Sequence, residues 1–360
     1  MKHLEKVAIV KCNSYEQEKV DRAVVLALDL IDFNFNQFKR GMKVLIKPNV
    51  VGSYHKNQYA ITTHPAIIEA VCKILKQKGC KIFIGDSPFT NPENAFRHSE
   101  IERVAKKYGK LVIFEQDKFV TIKNEHGRIL KKFKTARIIK EADLIINMPK
   151  LKTHMLTKYT GAIKNLYGCI LGGEKQKFHN KARGDKRFSR MLVDIYQAIK
   201  PELTIMDAIV GMEGKGPTSG EPKKAGLILA SKNGIALDII ALEIIGIKPG
   251  QIYAIREAIK RKVSGRFKIR VVGIAKQPLI RFRLPSHIVI KVAHRILKKL
   301  FREKPIVVDK MKCIQCGLCA RKCPGKAITL KPFPTFDRKK CIRCFCCIEV
   351  CPQHALSLKE

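Results

Sequence analysis

The chain has 360 residues, which predicts two or three domains, and its 46% hydrophobic content can build a sizeable core. With 71 basic and 31 acidic residues it carries a formal charge of +40, a field that attracts anions; a generally basic proteome would produce the same excess. No apolar run of about 18 residues occurs, so no spanning helix is expected, and Met1–Val10 has neither a long apolar core nor a small-residue cleavage site, so the expected compartment is the reducing cytoplasm rather than a secretory one.

Along the first 275 residues, short apolar runs alternate with amphipathic stretches. Strands are predicted at Val7–Val10, Val44–Lys47, Ile82–Gly85, Leu111–Phe114, Leu144–Asn147, Leu203–Met206, Leu227–Ala230 and Ile269–Val272. Helical periodicity marks Glu18–Ile31, His64–Lys78, Ile235–Ile245 and Ile252–Ile259. Thr63 is the expected N-cap of the second helix, with Pro65 in its first turn. Strands alternating with helices predict an α/β fold, a Rossmann-like, mostly parallel sheet. Ligands of such sheets bind at the carboxyl ends of the strands.

Five polar segments follow predicted strands. They are Lys47-Pro48-Asn49, Thr62-Thr63-His64-Pro65, Gly85-Asp86-Ser87-Pro88, Asn147 through His154 continuing to Gly168, and Asp207 through Gly220. Each alone is ordinary loop punctuation. Together they bring Lys47, Lys150, Lys152, Lys164, Asn49, Asn165, His64 and Asp86 towards one sheet edge, a set suited to binding a carboxylate or phosphate. His154 and Asp207 are the candidates for moving a proton; a lone histidine is more often a cap or hydrogen-bonding residue, and His179 is a weaker candidate still. The glycines of the fifth segment would let backbone N–H groups approach an anion. Neither a G-x-G-x-x-G nor a P-loop pattern is present, so no nucleotide is expected.

Residues 276–304 read as a basic linker marked by Pro278, Pro285 and Pro305. Within it, Ser286–Phe301 has an apolar stripe at Val289, Val292, Ala293, Ile296 and Leu300, with basic residues opposite. Such a helix most often packs on its own domain, and contact with an anionic membrane surface is the alternative.

The last segment, 305–360, carries eight of the thirteen cysteines in two ladders. Cys313, Cys316, Cys319 and Cys323 precede Pro324; Cys341, Cys344, Cys347 and Cys351 precede Pro352. Both read C-x-x-C-x-x-C-x-x-x-C-P, the spacing that holds iron–sulfur cubes. A zinc ribbon uses paired C-x-x-C knuckles, which the third cysteine in step does not suit. A shift of 28 residues also aligns Asp309 with Asp337, Lys312 with Lys340 and Ala327 with Ala355, an internal repeat. Cys346 has no counterpart in the first ladder and reads as a spacer thiol. Cys12, Cys72, Cys80 and Cys169 read as buried small hydrophobes.

The segment resembles a bacterial-type two-cluster ferredoxin, a small α+β domain. That resemblance implies two [4Fe-4S] clusters with the fourth cysteine of each ladder crossing over: Cys313, Cys316, Cys319 and Cys351 on one, and Cys341, Cys344, Cys347 and Cys323 on the other. The strings Leu45–Val51, Thr62–Pro65, Gly85–Pro88, Pro149–His154 and Gly161–Asn165 resemble the domain-of-unknown-function 362 family over roughly residues 5–275. Members often end in a ferredoxin module, and the resemblance implies cluster binding without supplying a reaction. The expected function is electron transfer through the clusters to or from a small anionic substrate or a redox partner protein at the α/β domain, as an oxidoreductase or as a non-enzymatic carrier. Nucleic acid is not the expected partner, because the chain has no Trp, only 7% aromatic residues and no recognised binding module.

Overall fold

The computed structural model describes residues 3–52, 60–285 and 305–359, and the amphipathic stretch predicted at 286–301 lies outside them. In chain order the strands of the large domain are β1 (His3–Lys11), β2 (Lys43–Pro48), β3 (Lys81–Asp86), β4 (Lys110–Ile113), the separate hairpin β5 (Phe119–Lys123) and β6 (Lys132–Ala136), β7 (Leu144–Met148), β8 (Lys150–His154), β9 (Lys158–Thr160), β10 (Leu203–Glu213), β11 (Glu221–Ser231) and β12 (Phe267–Val272). All but the hairpin join one ten-stranded sheet in the order β12-β1-β11-β10-β7-β2-β3-β4, with β8 on β10 and β9 on β8. Along the main path only β11 runs against its neighbours. The domain is a mostly parallel α/β sheet, as its alternating pattern predicts.

Both faces of the sheet are buried. Val7, Ile9, Leu45, Ile145, Leu227 and Leu229 pack into one core, while Ala8, Val10, Val44, Ile46, Leu144, Ile146, Ile228 and Ala230 pack into the other. The strand period of two assigns successive residues to opposite faces, and apolar residues on both explain the near-continuous apolar runs. The second core is covered by α1 (Gln17–Leu30) and α2 (Pro65–Gln77).

Two local expectations change. The N-cap of α2 is His64, whose Nδ1 accepts from the Ala66 N–H at 3.1 Å. Thr63 is drawn instead into the sheet edge, its hydroxyl donating to the Met148 carbonyl at 2.7 Å and accepting from the Asn49 N–H at 2.9 Å. Asp207–Glu213 is not loop. It extends β10, which pairs antiparallel with β11 along a long ribbon, so only residues 214–220 turn.

The C-terminal segment folds as a pseudo-symmetric pair. β13 (Ile306–Val308) pairs with β16 (Leu356–Leu358), and β14 (Ile328–Leu330) pairs with β15 (Pro334–Phe336). The 28-residue shift recurs in the backbone. Gln315, Gly317 and Lys326 take positive φ, and so do Arg343, Phe345 and His354. Only Gly317 of the six lacks a Cβ, and a left-handed residue that has one is strained by about 1–2 kcal/mol; at its counterpart Phe345 a ring buried in the module's core offsets that. No helix among the described residues is long and apolar enough to cross a membrane.

Candidate functional site

The carboxyl ends of β2, β3 and β7 carry the predicted polar segments, and the structure divides those residues into two clusters. The first is a buried knot. Lys150 and Asp207 are both wholly buried and meet at 2.7 Å from Nζ to Oδ2. Lys150 also donates to the Tyr15 hydroxyl at 2.8 Å, and Tyr15 donates to Asp207 Oδ1 at 2.9 Å. The His64 N–H donates to Asp207 Oδ2 at 2.9 Å, and the His64 ring stacks on Tyr15 at 3.7 Å. Asp207 therefore accepts from an ammonium, a phenol and backbone N–H groups, which makes it an anchor of the sheet edge. This differs from the proton-moving role that the sequence suggests.

The second cluster lines a narrow cavity of about 80 Å³. Lys47, Asn49, Asp86, Lys152, Lys164 and Asn165 face it, together with Ser87, Tyr167, Lys175, His179 and Glu349. This is room for on the order of five to eight waters, or one small anion. Lys47 is neutralised internally, its Nζ standing 2.7 Å from Asp86 Oδ1. Asp86 also accepts from the Val50 and Ser87 N–H groups, each at 2.8 Å. Gly168 closes on this pair, where any Cβ would overlap Asp86 Oδ1 and Lys47 Nζ. Asn165 locks the wall by donating to Asn147 Oδ1 at 2.8 Å.

Lys152 and Lys164 differ from Lys47. Among the described residues no carboxylate lies within 4.0 Å of either ammonium, although Lys152 donates to the Ile61 carbonyl at 2.7 Å. Burial pushes the Lys152 ammonium well below the ordinary lysine range, with Lys164 and Lys150 adding repulsion. Burial likewise lowers Lys164, with Glu349 opposing the shift. Lys175, donating to Ser87 Oγ at 2.7 Å, is pulled down to about 8 by burial. Desolvated cations crowded together favour an anion between them.

Lys175 and His179 share a face of the helix Gly172–Lys181, four residues apart. His179 stacks on Phe188 at 4.5 Å and meets the Tyr167 edge at 5.6 Å. His154 lies elsewhere than expected. Its Nδ1 accepts the Leu156 N–H at 3.0 Å, which leaves the proton on Nε2, 3.3 Å from Glu349 Oε1. His179 is a weak candidate in the sequence; nothing local marks Lys175 or Glu349 as lining residues.

Burial holds His179 down to about 3 and His64 down to about 4, the former aided by Lys164 and Lys175 and the latter opposed by Asp207. Both are neutral when folded, while an unfolded histidine titrates near 6.5. Below that pH the unfolded chain binds protons that the folded chain does not, so stability falls as pH drops from about 6.5 towards 4. Thermal unfolding followed between pH 7.5 and 5 is expected to show that loss. A His179→Phe variant is expected to flatten it by up to about 1.4 kcal/mol per pH unit, and an unchanged slope would refute the buried neutral imidazole.

Glu349 belongs to the ladder segment, two residues from Cys347 and two from Cys351. Burial raises its carboxyl, and Lys164 and Lys152 pull it back. The second ladder thus abuts the cavity. Burial raises the Tyr167 phenol, and Cys346, Glu349 and Cys344 add to the shift. Cys346 is a fully buried free thiol beside Cys344, whose thiol it helps to lower. It packs at the junction between the module and the large domain.

The ladders fit iron–sulfur cubes. Cys313, Cys316, Cys319 and Cys351 line one recess. Burial raises the Cys319 thiol, with Cys316, Cys351 and Cys313 adding to it; burial raises Cys341, with Cys344 and Cys323 among its neighbours. The Ala327 and Ala355 N–H groups donate to the Sγ atoms of Cys323 and Cys351 at 3.3 and 3.2 Å, an arrangement that favours thiolates. Among the described residues no three ligand side chains close on a single ion; thiolates on different irons of a cube stand further apart than four ligands of one ion.

A 4Fe-4S dicluster domain matches residues 312–358, and that segment binds 4Fe-4S iron–sulfur. The thylakoid-associated protein sll1697 of Synechocystis sp. (strain ATCC 27184 / PCC 6803 / Kazusa) is 34% identical over 253 residues, covering 68% of this chain and 76% of that protein. The lactate racemase apoprotein from Thermoanaerobacterium thermosaccharolyticum aligns with a TM-score of 0.44 at 13% identity, covering 69% of this chain and 58% of that one. The domain of unknown function DUF362 matches residues 44–243, and the chain belongs to that family.

Proposed function

We propose that this protein is an oxidoreductase that passes electrons between two [4Fe-4S] clusters and a small anion held in the lysine-lined cavity of the α/β domain. One observation carries the reading: Glu349, on the second ladder, lines the same cavity as Lys47, Lys152 and Lys164. The cubes supply one-electron storage when bound. The recess formed by Cys313, Cys316, Cys319 and Cys351 supports the crossed ligation, with Cys341, Cys344, Cys347 and Cys323 holding the second cube. Lys152 and Lys164 hold the anion, and Lys175 keeps Ser87 oriented on the opposite wall. Lys175, whose ammonium burial brings down to about 8, gives or takes the proton, with the neutral His179 beside it on the wall. Asp86, paired with Lys47, and Glu349 together offset much of the lysine charge, which selects a ligand of low charge. The cavity size selects a few-atom carboxylate or oxyanion.

The protein acts in the cytoplasm. The thylakoid association of the relative is the observation that favours a membrane-surface location instead. The test of function is anaerobic. Dithionite-reduced protein is mixed with a panel of small carboxylates and oxyanions, and cluster absorbance is followed. At least one anion is expected to reoxidise the protein faster than buffer does. Lys152→Met and Lys164→Met are expected to lose that acceleration at least tenfold while keeping wild-type iron. If no small anion outpaces buffer, the reading fails.

A further inference from the structure

The two ladders share a spacing but not an environment. In the first ladder Cys316 is exposed. Around it, Met311 is 96% exposed, Ile314 61% and Leu330 36%. Ile314, Cys316 and Leu330 line the same recess as Cys313, Cys319 and Cys351. Leu330 and Arg321 both crowd Gly317, the residue after Cys316. Lys310, Lys312, Arg321 and Lys331 are exposed along the rim, and the Lys310 ammonium lies 5.6 Å from the Phe333 ring. The acid on this loop, Asp309, is already engaged: its carboxylate accepts from the Met311 N–H at 3.0 Å and lies 3.5 Å from the Lys312 ammonium.

The repeat supplies an internal control. At the positions 28 residues on, Met311 becomes Lys339, while Ile342 and Cys344 are half-buried. That second loop is turned towards Tyr167 and the cavity. An apolar patch beside a cluster ligand, rimmed by cations, matches a partner with an apolar centre and an acidic rim.

We propose that the face of the first ladder, from Lys310 to Cys316 with Leu330, is the docking surface for a small acidic electron-carrier protein. The two ladders then have different tasks: the first exchanges electrons with the carrier and the second faces the cavity. This rests on the two-cluster reading above. One electron crosses per encounter, the carrier being oxidised as this protein is reduced, and no bond forms or breaks. Such encounters are small and transient, and opposite charge raises their on-rate while salt suppresses it.

The test uses the cluster-loaded full chain and a reduced plant-type [2Fe-2S] ferredoxin as the acidic probe. Association is measured by titration calorimetry and electron transfer by stopped flow, each at low and at high salt. Binding is expected at low salt and a second-order rate at least tenfold lower at high salt. Lys310→Glu with Met311→Glu is expected to lower both affinity and rate at least tenfold, with iron content unchanged. Lys339→Glu, at the equivalent position of the second copy, is expected to change them less than twofold. An unchanged rate in the first variant, or equal loss in the second, overturns the proposal. Binding to phosphatidylglycerol vesicles that the double variant abolishes, without ferredoxin binding, also overturns it and assigns the face to a membrane. Wild-type protein that dithionite cannot reduce would overturn the cluster reading itself, a failure separate from that of the docking face.

Discussion

Replacing Cys313 and Cys351 together by alanine is expected to leave about four irons per chain, whereas replacing Cys341 and Cys351 together is expected to leave almost none. The full complement is about eight, from two four-iron clusters. Under crossed ligation the first pair removes two ligands from one cube and spares the other. The second pair removes one ligand from each. Ligation confined within each ladder reverses the two results, so one iron and sulfide determination separates the schemes. Low-temperature electron paramagnetic resonance adds a second readout, since the surviving cluster of the first variant should lose its magnetic coupling to a neighbour. The expectation follows from Cys351 sharing a recess with Cys313, Cys316 and Cys319. The Ala355 N–H, bonded to Cys351 Sγ at 3.2 Å, keeps that sulfur turned out of its own loop.

Asp207→Ala is expected to destabilise the large domain by about 3–5 kcal/mol, the cost of leaving a buried charge without its partner. Lys150 would lose a carboxylate 2.7 Å away, and Tyr15 and the His64 N–H would lose their acceptor. The sign is secure because burial already pushes the Lys150 ammonium downward, with Asp207 as the force that opposes it. Lys150→Met combined with Asp207→Leu is expected to recover much of the loss, since well-packed apolar pairs replace buried ion pairs at little cost. Denaturant midpoints of the cluster-loaded protein measure both. A loss below about 1 kcal/mol in Asp207→Ala would mean that water reaches the knot and that Asp207 is available for chemistry after all.

The fold class was legible because apolar periodicity reports burial directly. Each predicted strand overlaps a strand of the sheet, and α1 and α2 lie within a residue of their predicted bounds. The helix Asp185–Ile199 is not among the predicted helices, although Phe188, Met191, Leu192, Ile195, Tyr196 and Ile199 are buried at helical spacing. The polar segments were legible as a sheet edge, but not as two clusters. Side-chain partners depend on distances between strands, and those are not local. Lys47, Lys150 and Lys152 look alike in sequence. One is neutralised by Asp86, one is tied to Asp207, and one is left facing the cavity.

The sequence by itself determined the cofactor chemistry and the layered sheet. Thiolate spacing and apolar period are local properties, and each survives any arrangement of the rest of the chain. The repeat also made the two ladders equivalent on paper. Tertiary structure alone decided that they are not. Packing the module on the large domain buries Cys346 and Glu349 against Tyr167 and the lysine cavity, and leaves Cys316, Met311 and Ile314 in solvent. A twofold repeat that packs against one asymmetric surface must lose its symmetry, because only one of its halves can face that surface.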